Sequence, residues 1–555
     1  MVRRCVTFLN IASPNSPLYL NPVLVQSLAG AVQEELSDGQ VDVFDGAAGD
    51  SYSRSLEHLG TNDVAVICMM ADAHLDEFLS AAIGSLKAGV PIVTIGALVT
   101  DGEAELVLSR VISTLPNNPT YAFVGRESDR FVSALKAVAS HSSVHELPNV
   151  VSLMHTKAPA DWNALPTITK APQLLFTDTI VEAIDVRGIA VLMEGLTRGC
   201  EYHCTYCHLN FNKQTSGLVQ QISGDSVWRI INVADRIPEN SFIFFTDENF
   251  FGGRGSAGRD RLEAIVRLSE DLIGSGFCRD LAVDTRIDSL YHPNDDKERG
   301  QLRRRAWRSF KSAGLKYAYL GVESFSESQL RRYAKTAEYP AIIPGIALAR
   351  ELDLAFTLGM IIMDPLVTPL EVQETLAFVD RMDLYPYIAS PLKPLRLGVN
   401  SPYAGWAAKR LHTANWSAFP SGVDTFRDAR VREIWPIVHR IHSIFSESGY
   451  RHSDVALFDS VFGAGSSTVK RVPEMVARME CEVLRTLIDG GPTDEALRFT
   501  VRAVEDTVHL CRDWVANRVE TPGSIQEKVR RYYRTVFDVI HTQVARQNWL
   551  EEAFR

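Results

Sequence analysis

Arg198-Gly-Cys-Glu-Tyr-His-Cys-Thr-Tyr-Cys-His208 places Cys200, Cys204 and Cys207 at the spacing C-x3-C-x2-C. Three thiolates on one tight loop match three irons of a 4Fe–4S cluster and leave the fourth iron open to a substrate or cofactor. A clip that holds a cluster by protein alone uses four cysteines. The spacing therefore points to a catalytic cluster, and the rival readings are weaker. Cys204-Thr-Tyr-Cys207-His208 fits the C-x-x-C-H attachment of c-type haem, but that chemistry needs an exported chain. The apolar run Cys5–Ala12 breaks at Ser13-Pro14 with no small-residue cleavage site behind it. Zinc, with His203 or His208 as fourth ligand, stays open as the main alternative. Structural zinc sites usually take two separated ligand pairs, and no second pair is present. Eight cysteines in 555 residues, five of them scattered singly, do not make a disulfide framework.

Composition fits an ordinary soluble globular protein of two to four domains, with 46% apolar and 23% charged residues. No apolar run approaches the ~20 residues needed to cross a bilayer, so no membrane partner is expected. The net charge of −11 argues against broad nucleic-acid binding. Reduced cysteines and a labile cluster imply a cytoplasmic location.

Residues 1–150 alternate strand-like and helix-like segments, the pattern of a parallel Rossmann-like sheet. Strands are expected at Val6–Ile11, Val41–Phe44, Val64–Met69, Pro91–Ile95 and Tyr121–Val124. Their carboxyl ends, where such sheets bind ligands, carry Asn10, Asp45, Met70-Ala-Asp72, Gly96-Ala-Leu-Val-Thr100 and Gly125-Arg-Glu127. After a linker at 151–185, residues 186–400 read as a second βα series. Its strands are expected at Gly188–Glu194, Phe242–Thr246, Leu281–Asp284, Tyr317–Leu320 and Phe356–Met363. A poorer sixth, Ile388–Leu397, is interrupted by Pro391 and Pro394. Phe250-Phe-Gly-Gly-Arg254 reads as a flexible glycine turn, and Lys335 as part of a solvated helix face. Residues 401–555 read as a helical cap, with helices over Glu474–Leu487, Thr493–Val519 and Ile525–Phe554. Cys481 and Cys511 there read as buried small hydrophobes.

The cysteine clip, followed by strands of this order, resembles the partial (β/α)6 barrel of the radical S-adenosylmethionine (SAM) superfamily. With the first domain included, the chain resembles the class B, cobalamin-dependent radical SAM enzymes of the methyltransferase type. Thr94-Ile-Gly-Ala-Leu-Val-Thr100 and Phe123-Val-Gly-Arg-Glu-Ser-Asp129 stand where that family has a Gly-rich loop and a V-x-G-E turn. The resemblance implies an N-terminal cobalamin-binding domain, with Asn10, Met70, Gly96, Ala97, Thr100, Gly125 and Glu127 against cobalamin. The D-x-H-x-x-G motif that replaces the lower axial ligand is absent, and Asp72-Ala-His74 matches only in part, so no histidine is expected on cobalt.

In the barrel, the resemblance implies that SAM chelates the open iron. Asp247, Glu248 and Asn249 would receive its amino group, Arg286 its carboxylate and Glu323 its ribose, while Tyr206 packs near the adenine. Catalytic residues on such barrels concentrate at strand ends, and an arginine fork suits a carboxylate. Tyr403, Asp364, Tyr385 and Tyr387 are expected near the mouth without an assigned role. The implied activity is methylation of a carbon centre of a small-molecule or peptide natural-product intermediate. It would use the cluster, SAM and methylcobalamin, with electrons from an external donor of the flavodoxin or ferredoxin type. A radical rearrangement, dehydration, ring contraction or cyclisation on the same architecture is the alternative. A non-catalytic metal-binding regulator is a third class, disfavoured by the charged residues matched at the strand ends.

Overall fold

The alternation of apolar runs with amphipathic stretches becomes two largely parallel sheets in the computed structural model. The structure describes residues 5–10, 21–35, 39–60, 63–68, 84–95, 111–123, 128–139, 150–152, 173–188, 190–207, 219–222, 225–239, 241–253, 255–395, 401–411, 426–450, 471–517, 525–546 and 549–550. The chain divides into two compact units, residues 1–198 with 219–243, and residues 199–218 with 244–555.

The first unit contains β1 (Cys5–Asn10), β2 (Gln40–Asp45), β3 (Val64–Cys68), β4 (Ile92–Ile95), β5 (Thr120–Phe123) and β6 (Val150–Ser152). They form one sheet in the order β2-β1-β3-β4-β5-β6. The first five are parallel, and β6, not anticipated from the sequence, runs antiparallel to β5. Every residue of β1, β3 and β4 is buried, the signature of a parallel sheet covered on both faces. Helices α1 (Val23–Glu35), α2 (Tyr52–Leu56) and α3 (Ser128–Ala139) connect these strands. Phe131 of α3 packs against Phe123 and Phe8, at ring separations of 5.0 and 5.9 Å. Strand order reverses around β1, so the ligand crevice of such sheets lies outside the carboxyl ends of β1 and β3.

Asn10 sits at that end of β1 and donates to Asp45 Oδ1 at 2.7 Å. The same oxygen accepts from the Ala47 backbone N–H and closes the next turn. Met70, Gly96, Ala97, Thr100, Gly125 and Glu127, expected against cobalamin, lie outside the described residues, as does Asp72-Ala-His74. The segment expected as a linker runs into α4 (Asp178–Val186), capped by Thr177.

The second series gives β7 (Ala190–Met193), the short β8 (Thr197–Gly199) and β9 (Val219–Gln221), then β10 (Phe242–Phe245), β11 (Leu281–Arg286), β12 (Leu315–Glu323) and β13 (Ala355–Met360). The larger sheet has the order β13-β12-β11-β10-β7, and the boundary between the units falls inside β10. β8 and β9 pair as a separate ribbon on either side of the cysteine stretch in sequence. The connecting helices are α5 (Ser226–Ala234), α6 (Gly255–Gly274), α7 (Lys297–Ser312), α8 (Glu327–Arg332), α9 (Ile342–Glu351) and α10 (Pro369–Met382). The expected sixth strand is reduced to two isolated bridges, Leu358 with Ile388 and Met363 with Pro394. Pro391 and Pro394 lack the N–H that a continuous ladder requires.

Phe250-Phe-Gly-Gly-Arg254 departs from the flexible turn expected. Phe250 and Phe251 are buried, and Phe251 stacks on Trp307 of α7 with ring centres 3.7 Å apart. Burial of two aromatic rings outweighs the freedom of the glycines. Gly253, at φ +139, lies so close to Gly258 of α6 that a Cβ on it would sit 2.2 Å from the Gly258 Cα. The last helices are α11 (Pro402–Leu411), α12 (Ala429–Glu447), α13 (Arg471–Gly490), α14 (Asp494–Ala516) and α15 (Ile525–Val544). Cys481 and Cys511 are fully buried there, as expected.

A methyl at Gly258 would meet the Gly253 carbonyl oxygen at 2.3 Å. Gly258→Ala should therefore lower stability by about 1–3 kcal/mol, read as a shift of the urea midpoint at unchanged slope.

Candidate active site

The cysteine loop is held by hydrogen bonds to its backbone at Gly199 and Thr205. Gly199, at φ +84, turns the chain after β8, and its N–H donates to Glu248 Oε2 at 2.9 Å. Between the second and third cysteines, the Cys207 N–H closes a turn on the Cys204 carbonyl at 3.1 Å. The Thr205 peptide is clamped from two sides. Its N–H donates to the Tyr333 carbonyl (3.2 Å) and its carbonyl accepts from the Tyr403 N–H (2.9 Å). Its hydroxyl donates to the Arg332 carbonyl at 2.7 Å. The end of α8 and the start of α11 thus fix the loop.

Cys204 is buried, and Cys200 and Cys207 are partly exposed. Burial pushes the Cys200 thiol up to about 12, although the Tyr202 N–H and Arg286 pull the other way. Ligation must therefore displace a tightly held proton. Among the described residues, the three thiols are not gathered within the 4.8 Å that would let them share one ion.

Arg286 ends β11 and is buried. One guanidinium nitrogen donates to Cys204 Sγ at 3.1 Å and another to Asp288 Oδ1 at 3.2 Å. The plane lies over the Tyr202 ring at 3.5 Å. Burial would raise the Asp288 carboxyl, but Arg286 beside it holds it below its ordinary value. A fixed cation therefore stands at the cysteine loop, its orientation set by Asp288 and Tyr202.

The three residues expected at the end of β10 are brought to the same place. Asp247 and Asn249 are almost wholly buried. Asn249 Oδ1 accepts from the Thr285 hydroxyl (2.8 Å) and the Arg286 N–H (3.3 Å). These bonds fix the amide orientation, so its buried Nδ2 has no partner among the described residues. A buried donor without a partner is costly, and a ligand oxygen would satisfy it.

Two neighbours escaped the sequence reading. Arg261 of α6 donates to the Asn249 and Phe250 carbonyls, with Asp247, Glu201 and Glu248 around it. Asp284 on β11, pushed up to about 7 by burial and by Glu248 nearby, has a carboxyl poised to titrate at neutral pH. An aspartate inside an apolar strand gave no such signal, because its neighbour Glu248 lies in the turn beyond a different strand.

Glu323 ends β12 at φ +72, where the ladder shifts register, a bulge that re-aims the side chain. Its Oε1 accepts from Lys335 Nζ at 3.0 Å. Lys335 is 2% exposed, which corrects the solvated helix face expected for it. Ala334, at φ +58, ends α8 in a left-handed turn, with the Lys335 N–H bonded back to the Leu330 carbonyl. This helix-end geometry points the lysine inward. Tyr206 packs edge-on against Tyr333 at 5.1 Å, within an apolar cluster around Tyr403 and Leu395.

Asp364 is fully buried and gathers the groups that clamp Thr205. Its Oδ2 accepts from Gln329 (2.6 Å), Arg332 (3.0 Å) and the Tyr333 hydroxyl (2.9 Å). Its Oδ1 accepts from the Leu366 N–H and the Tyr403 hydroxyl. Tyr385 and Tyr387 lie away from this set; Tyr385 bonds Asp380 and Tyr387 stacks on Phe356.

Residues 195–379 match the model of the radical SAM superfamily. The chain therefore carries a radical SAM domain, the kind that works with a 4Fe–4S cluster and S-adenosylmethionine. In fold the chain is similar to solved structures of cobalamin-dependent radical SAM enzymes. It superposes on the aqua-cobalamin-bound structure of OxsB with a TM-score of 0.69 and 16% identity, over 100% of this chain and 84% of that one. The radical SAM methyltransferase TsrM from Kitasatospora setae gives 0.54 and 14%, over 75% and 76%. By sequence, 224 residues are 26% identical to 4'-phospho-dehydrooxetanocin synthase of Priestia megaterium, covering 40% of this chain and 29% of that protein. Another 24% identity over 186 residues joins it to "Probable GTP 3',8-cyclase" of Halobacterium salinarum, over 33% and 44%. The chain thus matches less than half the length of these curated relatives. Among the described residues no helix is long and apolar enough to cross a membrane.

Asp364→Asn should cost about 3 kcal/mol, as expected when one partner of a buried ion pair is removed, and should lower iron retained after reconstitution. Calorimetry and iron analysis read the two effects. Asp284 holds its proton more tightly folded than unfolded, so its contribution to stability is full below pH 4. That contribution falls by roughly 1.4 kcal/mol per unit as pH rises to about 7. Asp284→Asn should accordingly gain stability relative to the parent between pH 5 and pH 8, measured by chemical denaturation at each pH.

Proposed function

We propose that this chain is a cobalamin-dependent radical SAM enzyme that remodels a carbon centre of a small organic or peptide substrate. The observation that carries the reading is the three-cysteine loop with the fixed Arg286 cation against it. When bound, the cluster supplies the electron for reductive cleavage of SAM, and a corrinoid supplies a methyl carrier or a redox centre. The chain's own residues bind, orient and shield. Arg286 offers its guanidinium to the methionine carboxylate. Asp247 and Glu248 offer carboxylates to the amino group. Asn249 Nδ2 offers a donor that no other described residue uses. With Oε1 held by Lys335, Glu323 presents Oε2 to the ribose hydroxyls. Tyr206, held by Tyr333, offers its remaining ring surface to the adenine. The open end of the β1 and β3 strands, with Asn10 fixed by Asp45, is the place for cobalamin, supported by the likeness to the cobalamin-bound OxsB structure.

For the reaction itself, two readings have support. A radical rearrangement is favoured by the stretch of sequence shared with 4'-phospho-dehydrooxetanocin synthase and by the whole-chain likeness to OxsB. Methyl transfer to carbon, the activity implied by the sequence resemblance, is supported by the likeness to TsrM over three quarters of the chain. A flavodoxin- or ferredoxin-type donor would supply electrons to either, in a cytoplasmic setting.

Anaerobic reconstitution with iron, sulfide and hydroxocobalamin should give about four irons and one corrinoid per chain. SAM with a reductant should then yield 5'-deoxyadenosine. Label transfer from methyl-labelled SAM to substrate would select the methyltransferase reading, and product without label the rearrangement. Zinc in place of iron would sink both. Arg286→Gln should weaken SAM binding by roughly 10- to 100-fold, the worth of a charge-assisted hydrogen bond, measured by calorimetry on the reconstituted protein.

A further inference from the structure

We propose that Cys5, Asp42 and His58 form a zinc site at the amino-terminal end of the first sheet, at the opposite end of the strands from Asn10. The parallel register pairs Cys5 with Gln40 and Thr7 with Asp42. Side chains alternate across a strand, so Cys5, Thr7, Gln40 and Asp42 share one face of the sheet. The chain after α2 brings His58 onto that face. Cys5 Sγ lies 3.5 Å from Asp42 Oδ2 and 3.7 Å from His58 Nε2. His58 Nε2 lies 3.8 Å from the same carboxylate oxygen. These are the three edges of one triangle. Tetrahedral zinc with its usual bond lengths to sulfur, nitrogen and oxygen places such atoms about 3.4–3.6 Å apart. Among the described residues this is the group of three such donors within reach of a single ion.

Hydrogen bonding explains the arrangement less well. In a nucleophile–histidine–aspartate relay the acid and the nucleophile bond to different ring nitrogens. Here both face Nε2, which carries at most one proton, and 3.8 Å is too long for an N–H···O bond. The surroundings are built to hold the triad. Gln40 Nε2 donates to both Asp42 oxygens, at 3.1 and 3.0 Å, and orients the carboxylate as outer partners of metal ligands do. Asp63 accepts from the Cys5 N–H (2.7 Å) through one oxygen and from the Gly60 N–H (2.8 Å) through the other. It thereby ties the His58 segment to the start of β1. The thiol excludes magnesium and calcium, which take oxygen ligands, and the mixed sulfur, nitrogen and oxygen set suits zinc. His58 is 44% and Asp42 26% exposed, so solvent can reach the fourth position.

Thiolates at Cys200, Cys204 and Cys207 would also be ligands for added zinc, so the test removes them. The full chain with Cys200, Cys204 and Cys207 all replaced by serine is exposed to zinc, desalted and analysed by plasma mass spectrometry. One zinc ion per chain is expected, with affinity measured against a chromophoric chelator. His58→Gln in that background should weaken binding by at least about 100-fold, while leaving the metal-free melting curve unchanged, because His58 is half-exposed. Cobalt in place of zinc should give a thiolate charge-transfer band that Cys5→Ser abolishes. A cysteine-free loop that retains no zinc, or retention and a cobalt spectrum indifferent to His58→Gln and Cys5→Ser, would overturn the site.

Discussion

A loop that must hold three thiolates in fixed relation needs its own backbone fixed first, and here that burden falls on the Thr205 peptide. Its N–H, carbonyl and hydroxyl are each committed, to Tyr333, Tyr403 and Arg332. Those three residues then converge on a single buried carboxylate, Asp364. A charge so deeply buried is tolerable because five donors surround it. The second arginine partner, Glu371, also closes the capping box that starts α10. The cysteine loop, α8, α10 and α11 are therefore parts of one hydrogen-bonded unit, and loosening any one of them reaches the thiols.

Charge at the site is arranged with equal economy. Cations and anions alternate: Arg286 against Asp288, Lys335 against Glu323, Arg261 among Asp247, Glu201 and Glu248. Each pair is buried enough to keep its geometry without solvent. A ligand carrying both an ammonium and a carboxylate meets preset partners for each, and little reorganisation is required on binding. Asp284 is the exception. Among the described residues no cation is paired with it, and it keeps its proton to near neutrality. This local excess of acid would be relieved by a bound positive charge.

The first sheet divides its labour between its two ends. Its carboxyl ends carry the crevice typical of doubly wound sheets. At its amino end Asp63 ties the segment after α2 to the start of β1, beside the proposed zinc ligands Cys5, Asp42 and His58.

By itself the sequence determined what is local. Cysteine spacing is set by covalent chain length, so the loop proposed to hold the cluster was legible in Cys200, Cys204 and Cys207. Five strands of each βα series could be placed because apolar runs and their polar ends are contiguous. The arrival of Arg286, Asn249 and Glu323 at the strand ends followed from that. What the tertiary structure decided is everything that depends on residues far apart meeting. The inward turn of Lys335 arises from a left-handed residue at Ala334, which composition does not reveal. The role of Asp364 exists only because Arg332, Tyr333 and Tyr403, from 31 to 39 positions away, arrive on it. Phe250 and Phe251 read as part of a loose turn until Trp307 supplied the surface they bury against. Periodicity fixes which face of a strand or helix is apolar. It carries no information about which partner that face will find, and burial and charge pairing are properties of the partner.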